Sequence, residues 1–156
     1  NGVFVVPPLD LVFVVDTTGS MSGPIENLQD NVLDIFYAVR QLVDDSRFGV
    51  AHFEDFPMYA ASTDIAYELF APLTDDTVAI QNAVMSLTDI WGFPIGGGGG
   101  PIASGLEAIY QAATGAGVDV NGNGNFNNLS SGDVPPGPPG GLAQWRVWSI
   151  GSRCGR

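Results

Sequence analysis

The chain has 156 residues, one domain's worth, with 45% hydrophobic and 14% charged residues, a balance that suits a globular protein with a sizeable core. Its net charge is −12 and it contains no lysine, which disfavours nucleic acid and anionic membrane as partners and favours cations. No apolar run reaches the length of a membrane span, no basic segment precedes the first strand, and the single cysteine, Cys154, excludes an internal disulfide.

Residues 3–6 and the pair Pro7-Pro8 form an extended lead-in that a helix cannot accommodate. Residues 11–15, Leu-Val-Phe-Val-Val, are an unbroken apolar run too short for an ordinary helix, which predicts a central, parallel strand buried on both faces. The run stops at Asp16, and Thr17, Thr18, Gly19 and Ser20 follow. Ligands of open α/β sheets bind at the carboxyl ends of strands. One carboxylate with alternating hydroxyls there suits a hard divalent cation, Mg²⁺ or Mn²⁺.

Ser22-Gly23-Pro24 then opens a helix with a hydroxyl cap, and Ile25, Leu28, Val32, Ile35, Val39 and Leu42 recur at helical spacing. Residues 47–53 predict a second strand containing the only histidine, His52, read as a structural residue. Glu54 and Asp55 after it are either solvated loop acids or acids lining the metal crevice. Residues 67–72 predict a strand near an edge, because it ends in proline. Thr74-Asp75-Asp76-Thr77 caps a second helix through Val78, Val84, Met85 and Leu87. Five glycines, 96–100, lead through Pro101-Ile102-Ala103-Ser104-Gly105 into a third helix carrying Leu106, Ile109, Tyr110 and Ala113. A glycine run before a helix can cradle phosphate, but the lack of any lysine excludes a P-loop.

Asp16-Thr17-Thr18-Gly19-Ser20, between an apolar strand and an amphipathic helix, resembles the first loop of the metal-ion-dependent adhesion site (MIDAS) of von Willebrand factor A (vWA) domains, Asp-x-Ser/Thr-x-Ser. The resemblance implies an α/β, Rossmann-like vWA fold, with a mostly parallel central sheet flanked by helices and a metal facing Asp16, Thr18 and Ser20. The family's second metal loop commonly reads Gly-Gly-Thr-Pro-Leu/Ile-Ala-x-Gly-Leu. Its threonine falls on Gly100, which has no ligating side chain, so Ser104 is the nearest hydroxyl for that loop. The buried strand ending in Thr-Asp, which carries the third-loop aspartate, has no counterpart before Arg156. The chain thus resembles the N-terminal two thirds of the domain, truncated before that strand: 1–114 as a partial vWA domain, 115–141 as a Gly/Asn/Pro-rich loop, and 142–156 as an atypical tail.

The function implied is a non-catalytic protein-binding or adhesion module, extracellular or at the cell surface, in which an open coordination position on the metal accepts a carboxylate from a protein partner. No nucleic-acid binding and no membrane insertion are expected. With one histidine and one cysteine, no Ser/His/Asp or Cys/His set supports catalysis. The rival readings are a Mg-dependent phosphoryl-transfer hydrolase using Asp16 as nucleophile, which lacks a second acid in 17–20, and an intracellular partner of a chelatase-type ATPase.

Asp119-x-Asn121-x-Asn123-Gly124 matches the first half of an EF-hand-type calcium loop, with Asn125 offering a carbonyl and Asn127 a side-chain or water-mediated ligand. The closing acid's position is Ser130, and Asp133 substitutes only if the loop relaxes. With so few carboxylates, the expected Ca²⁺ site is weak. The alternative is an Asn/Gly-rich turn with no ion.

Overall fold

The computed structural model describes residues 6–98 and 104–137. Three strands, β1 (Leu9–Asp16), β2 (Ser46–Phe53) and β3 (Glu68–Thr74), form a sheet in that order. Three helices, α1 (Ser22–Leu42), α2 (Thr77–Met85) and α3 (Gly105–Thr114), pack on it. This is an α/β arrangement with a small mixed sheet. β1 runs parallel to β2, with Val15 opposite His52 and Asp16 opposite Phe53, whereas β3 is antiparallel to β2.

The expectation of a mostly parallel sheet with β1 at its centre is therefore corrected for the described residues: one pairing is parallel, one antiparallel, and β1 is an outer strand. All eight of its residues are half-buried, because only β2 pairs with it among the described residues. An Asp10–Arg47 pair fixes the register between the two, since Arg47 Nε and Nη2 donate to the two carboxylate oxygens at 3.0 and 2.9 Å. Among the described residues β3 is the other outer strand, the kind of position at which a proline such as Pro72 is tolerated.

Alternation along β2 sends Phe48 and Val50 to one face and Ala51 to the other, and each face gathers its own core. On the first, Ile25, Val32 and Phe36 of α1 meet Ile80 and Val84 of α2, with Phe36 stacked on Phe48 at 4.3 Å. On the second, Ala108 and Ala112 of α3 pack with Ala51, Ala66 and Val134.

The start of α1 departs from the sequence expectation, whereas that of α2 falls within the four residues expected to cap it. α1 is preceded by a 3-10 turn, Gly19–Met21, and Ser22 Oγ donates to Gly19 O instead of capping the helix. In α2 the cap is Asp76, whose carboxylate accepts from Val78 N and Ala79 N. On α3 the large apolar residues are not the ones that face the core. Ala108, Gln111 and Ala112 face the core, while Leu106, Ile109 and Tyr110 are exposed. The small alanines let the helix approach the sheet closely, and a bulky stripe would hold it off.

Beyond α3, residues 115–137 contain one antiparallel bridge, Val118 with Val134, and a 3-10 turn, Leu129–Ser131. The expected tail, 142–156, lies outside the described residues, as do Gly100 and the rest of 99–103.

Candidate functional site

Asp16 ends β1, and its carboxylate bends the next turn around itself: Oδ1 accepts from Thr18 N at 2.9 Å and from Thr18 Oγ1 at 2.7 Å. Because the Thr18 hydroxyl gives its proton to Asp16, its lone pairs are left for an electrophile. Ser20 is exposed two residues on. The turn therefore presents one carboxylate and two hydroxyls, a donor set of hard oxygens that fits Mg²⁺ with several waters retained. No group of three or more His, Cys, Asp or Glu side chains is arranged to hold a metal among the described residues.

The glycine segment before residue 99 straps this loop. Gly96 N donates to Thr17 O at 3.1 Å, and Gly19 N donates to Gly97 O at 3.4 Å. Side chains cannot replace these glycines freely. A methyl at Gly96 would overlap Glu54 Cγ and Cδ, and one at Gly98, whose φ is +65°, would come within 2.8 Å of Thr18 Cβ.

Beneath the loop lies a buried polar network centred on residues that the sequence did not connect. Thr17, fully buried, has its Oγ1 2.9 Å from His52 Nδ1 and 3.5 Å from Glu54 Oε1. His52, also fully buried, has Nε2 3.2 Å from Glu68 Oε2 across the β2–β3 ladder. The hydrogen bond from His52 holds the Glu68 carboxyl below its ordinary range. Glu54 Oε2 accepts from Ile65 N. Burial nonetheless pushes the Glu54 carboxyl up, and the neighbouring Asp64 carboxyl adds to the effect. Asp64 is buried too, accepting from Gly98 N at 3.4 Å through Oδ1, while its Oδ2 has no hydrogen-bond partner among the described residues.

The alternative that Glu54 and Asp55 are solvated loop acids is thus corrected, since both are buried. Glu54 packs behind the Asp16 turn, against Thr17 and Gly96. Thr17, His52 and Glu68 line up as hydroxyl, imidazole and carboxylate, an order that serves nucleophilic catalysis elsewhere. Here the hydroxyl is 0% exposed, and the line ties the Asp16 turn to β2 and β3.

Ser104 stands at the start of α3 and is buried. Its Oγ lies 2.7 Å from Glu54 O and 2.6 Å from Ala66 O, so the hydroxyl ties α3 to the two loops below it. The structure therefore directs Ser104 toward backbone carbonyls.

In the 119–133 loop, Asp119 takes Gly122 N, Asn123 N and Gly124 N onto its carboxylate. Asn121 Oδ1 accepts from Asn123 N, and Asn123 Oδ1 from Asn125 N. Asp133 is brought against the same loop: it accepts from Val120 N, Asn128 N, Ser131 Oγ and Asn121 Nδ2. Asn127 is exposed and makes no part of this network. The alternate Asp and Asn side chains do converge, and every contact among them is a hydrogen bond that shapes the turn.

No family model matches the chain, and no curated protein matches its sequence. Among solved structures it is similar to the pilus adhesin SpaC from Lactobacillus rhamnosus GG in its open conformation, at 20% identity and a TM-score of 0.42. That similarity covers 61% of this chain and 11% of the adhesin, so the chain spans about a tenth of the length of the protein it resembles.

Proposed function

We propose that this chain is a non-catalytic, metal-dependent protein-binding module of vWA type, with a variant MIDAS in which Asp16, Thr18 and Ser20 hold Mg²⁺ or Mn²⁺. The observation that carries the reading is the Asp16–Thr18 turn, whose hydrogen bonds leave hydroxyl lone pairs and a carboxylate at the end of a sheet strand. When bound, the ion supplies an open coordination position for a carboxylate of a protein partner. The chain's own residues orient that position: Thr17 anchors the turn from below, and Gly96 and Gly97 strap it from the side. With a single carboxylate the affinity for Mg²⁺ is low. A Mg²⁺-rich or Ca²⁺-rich extracellular setting suits both this site and a weak Ca²⁺ site at Asp119, Asn121, Asn123 and Asp133.

Paramagnetic broadening by Mn²⁺ tests the site on the intact chain. The amide signals of Thr18 and Ser20 broaden in the wild type, recover with EDTA, and stay sharp in Asp16→Ala. Broadening that survives Asp16→Ala overturns the assignment. A Mg²⁺-dependent phosphatase activity that is lost in Asp16→Asn would replace it with the hydrolase reading.

A further inference from the structure

Between α2 and the glycine strap, the loop at 90–95 exposes three large apolar side chains within four positions: Ile90 at 90%, Trp91 at 77% and Phe93 at 65%. Such a cluster is costly in water and marks a contact surface when it is held in one shape. This one is held. Asp89 Oδ1 accepts from Trp91 N at 2.8 Å and Phe93 N at 2.9 Å, Asp89 N donates to Phe93 O, and Thr88 bridges to Pro94. Gly92 sits at φ +80°, in the left-handed region, to close the turn. Little conformational entropy remains to be lost when the tip docks.

The charge around the tip narrows the partner. Gln29 of α1 reaches the end of α2, donating to Val84 O at 3.2 Å and Thr88 Oγ1 at 3.0 Å, so the N-terminal half of α1 lies beside the loop. One turn apart on that half, Glu26 and Asp30 are exposed. The cations among the described residues are Arg40 and Arg47. Arg47 is paired with Asp10, and Arg40 is turned to Ser46 O and Asp75 O. Like charge therefore opposes both a second copy of this chain and an anionic membrane at this face.

We propose that the 90–95 loop is a second, metal-independent docking element: a preformed apolar plug that enters an apolar pocket of a protein partner whose rim carries Lys or Arg, with Glu26 and Asp30 facing that rim. The loop runs directly into the strap. Phe93 is four residues from Gly97, a reach of about 14 Å at most, so one partner can cover both this tip and the Asp16 turn. The element nevertheless stands without the ion.

A phage-displayed library of small helical domains with randomised faces, selected in EDTA against the immobilised full chain, tests this. Domains that depend on the tip are expected to carry an apolar cluster with Lys or Arg. Trp91→Ala and Phe93→Ala each weaken them about tenfold or more with unchanged melting temperature. The double variant Glu26→Gln/Asp30→Asn weakens them about threefold and flattens the salt dependence. Selection that yields no Trp91-dependent binder overturns the proposal, and so do binders lacking basic residues. Trp91-dependent self-association in sedimentation, or Trp91-dependent binding to phosphatidylcholine vesicles, assigns the tip to another occupant and equally overturns it. Loss of Mn²⁺ binding in Asp16→Ala with tip binding intact separates the two sites.

Discussion

Thr17 Oγ1 and His52 Nδ1 lie 2.9 Å apart, and both residues are fully buried. The turn that carries Asp16 is therefore tied from beneath to the strand beside it. Thr17→Val keeps the shape of the side chain and removes this hydrogen bond, leaving a buried imidazole nitrogen without that partner. The expected cost is about 1–3 kcal/mol in urea unfolding. A variant as stable as the wild type would show that the pair contributes nothing to the fold.

Glu54 and Glu68, on either side of His52, give opposite pH dependences. Burial raises Glu54 above its ordinary 4.5, so the stability of its neutral form is present in full below that value and is lost as pH rises through the folded pKa. Glu68 is lowered from 4.5 by the hydrogen bond from His52, so its contribution is present above that value and is lost as pH falls through the folded pKa. Relative to wild type, Glu54→Gln gains stability as pH rises from 4.5. The deficit of Glu68→Gln, modest because the carboxylate is half exposed, shrinks on acidification. Urea midpoints across this pH range check both slopes, and curves parallel to wild type would refute them.

Gly96→Ala inserts a methyl into the space of the buried Glu54 side chain. Either Glu54 leaves its contact with Thr17 or the strap lifts from the loop, and either costs about 1–3 kcal/mol. Amide exchange of Gly19 and Gly96, whose N–H groups make the strap bonds, should accelerate.

In the 119–133 loop, Asp133→Ala removes the acceptor of four hydrogen bonds, for an expected loss of about 3 kcal/mol. A weak ion site predicts in addition that Ca²⁺ at a concentration equal to its Kd raises the wild-type melting temperature by about 1 °C. Asp119→Asn abolishes that rise. No rise in the wild type leaves the loop as a hydrogen-bonded turn.

The element order was legible in the sequence because local signals carry it. The apolar run before Asp16, the spacing of Ile25, Val32 and Val39, the proline in β3 and the acids before Thr77 each reflect a local backbone preference. The Asp16 turn was legible for the same reason, since its hydrogen bonds join residues two apart. Which face of α3 is buried was not: Leu106, Ile109 and Tyr110 are more apolar than Gln111, yet Gln111 faces inward to accept Gly117 N. The position of β1 was likewise set by pairing, which an apolar run does not specify. Thr17, His52, Glu54, Asp64 and Glu68 are up to 51 positions apart in the chain, and only the parallel register of β1 on β2, with the antiparallel return of β3, brings them together. A sequence names the groups that can form a buried network. Their meeting depends on strand register, because a shift of one residue would turn His52 to the other face of the sheet.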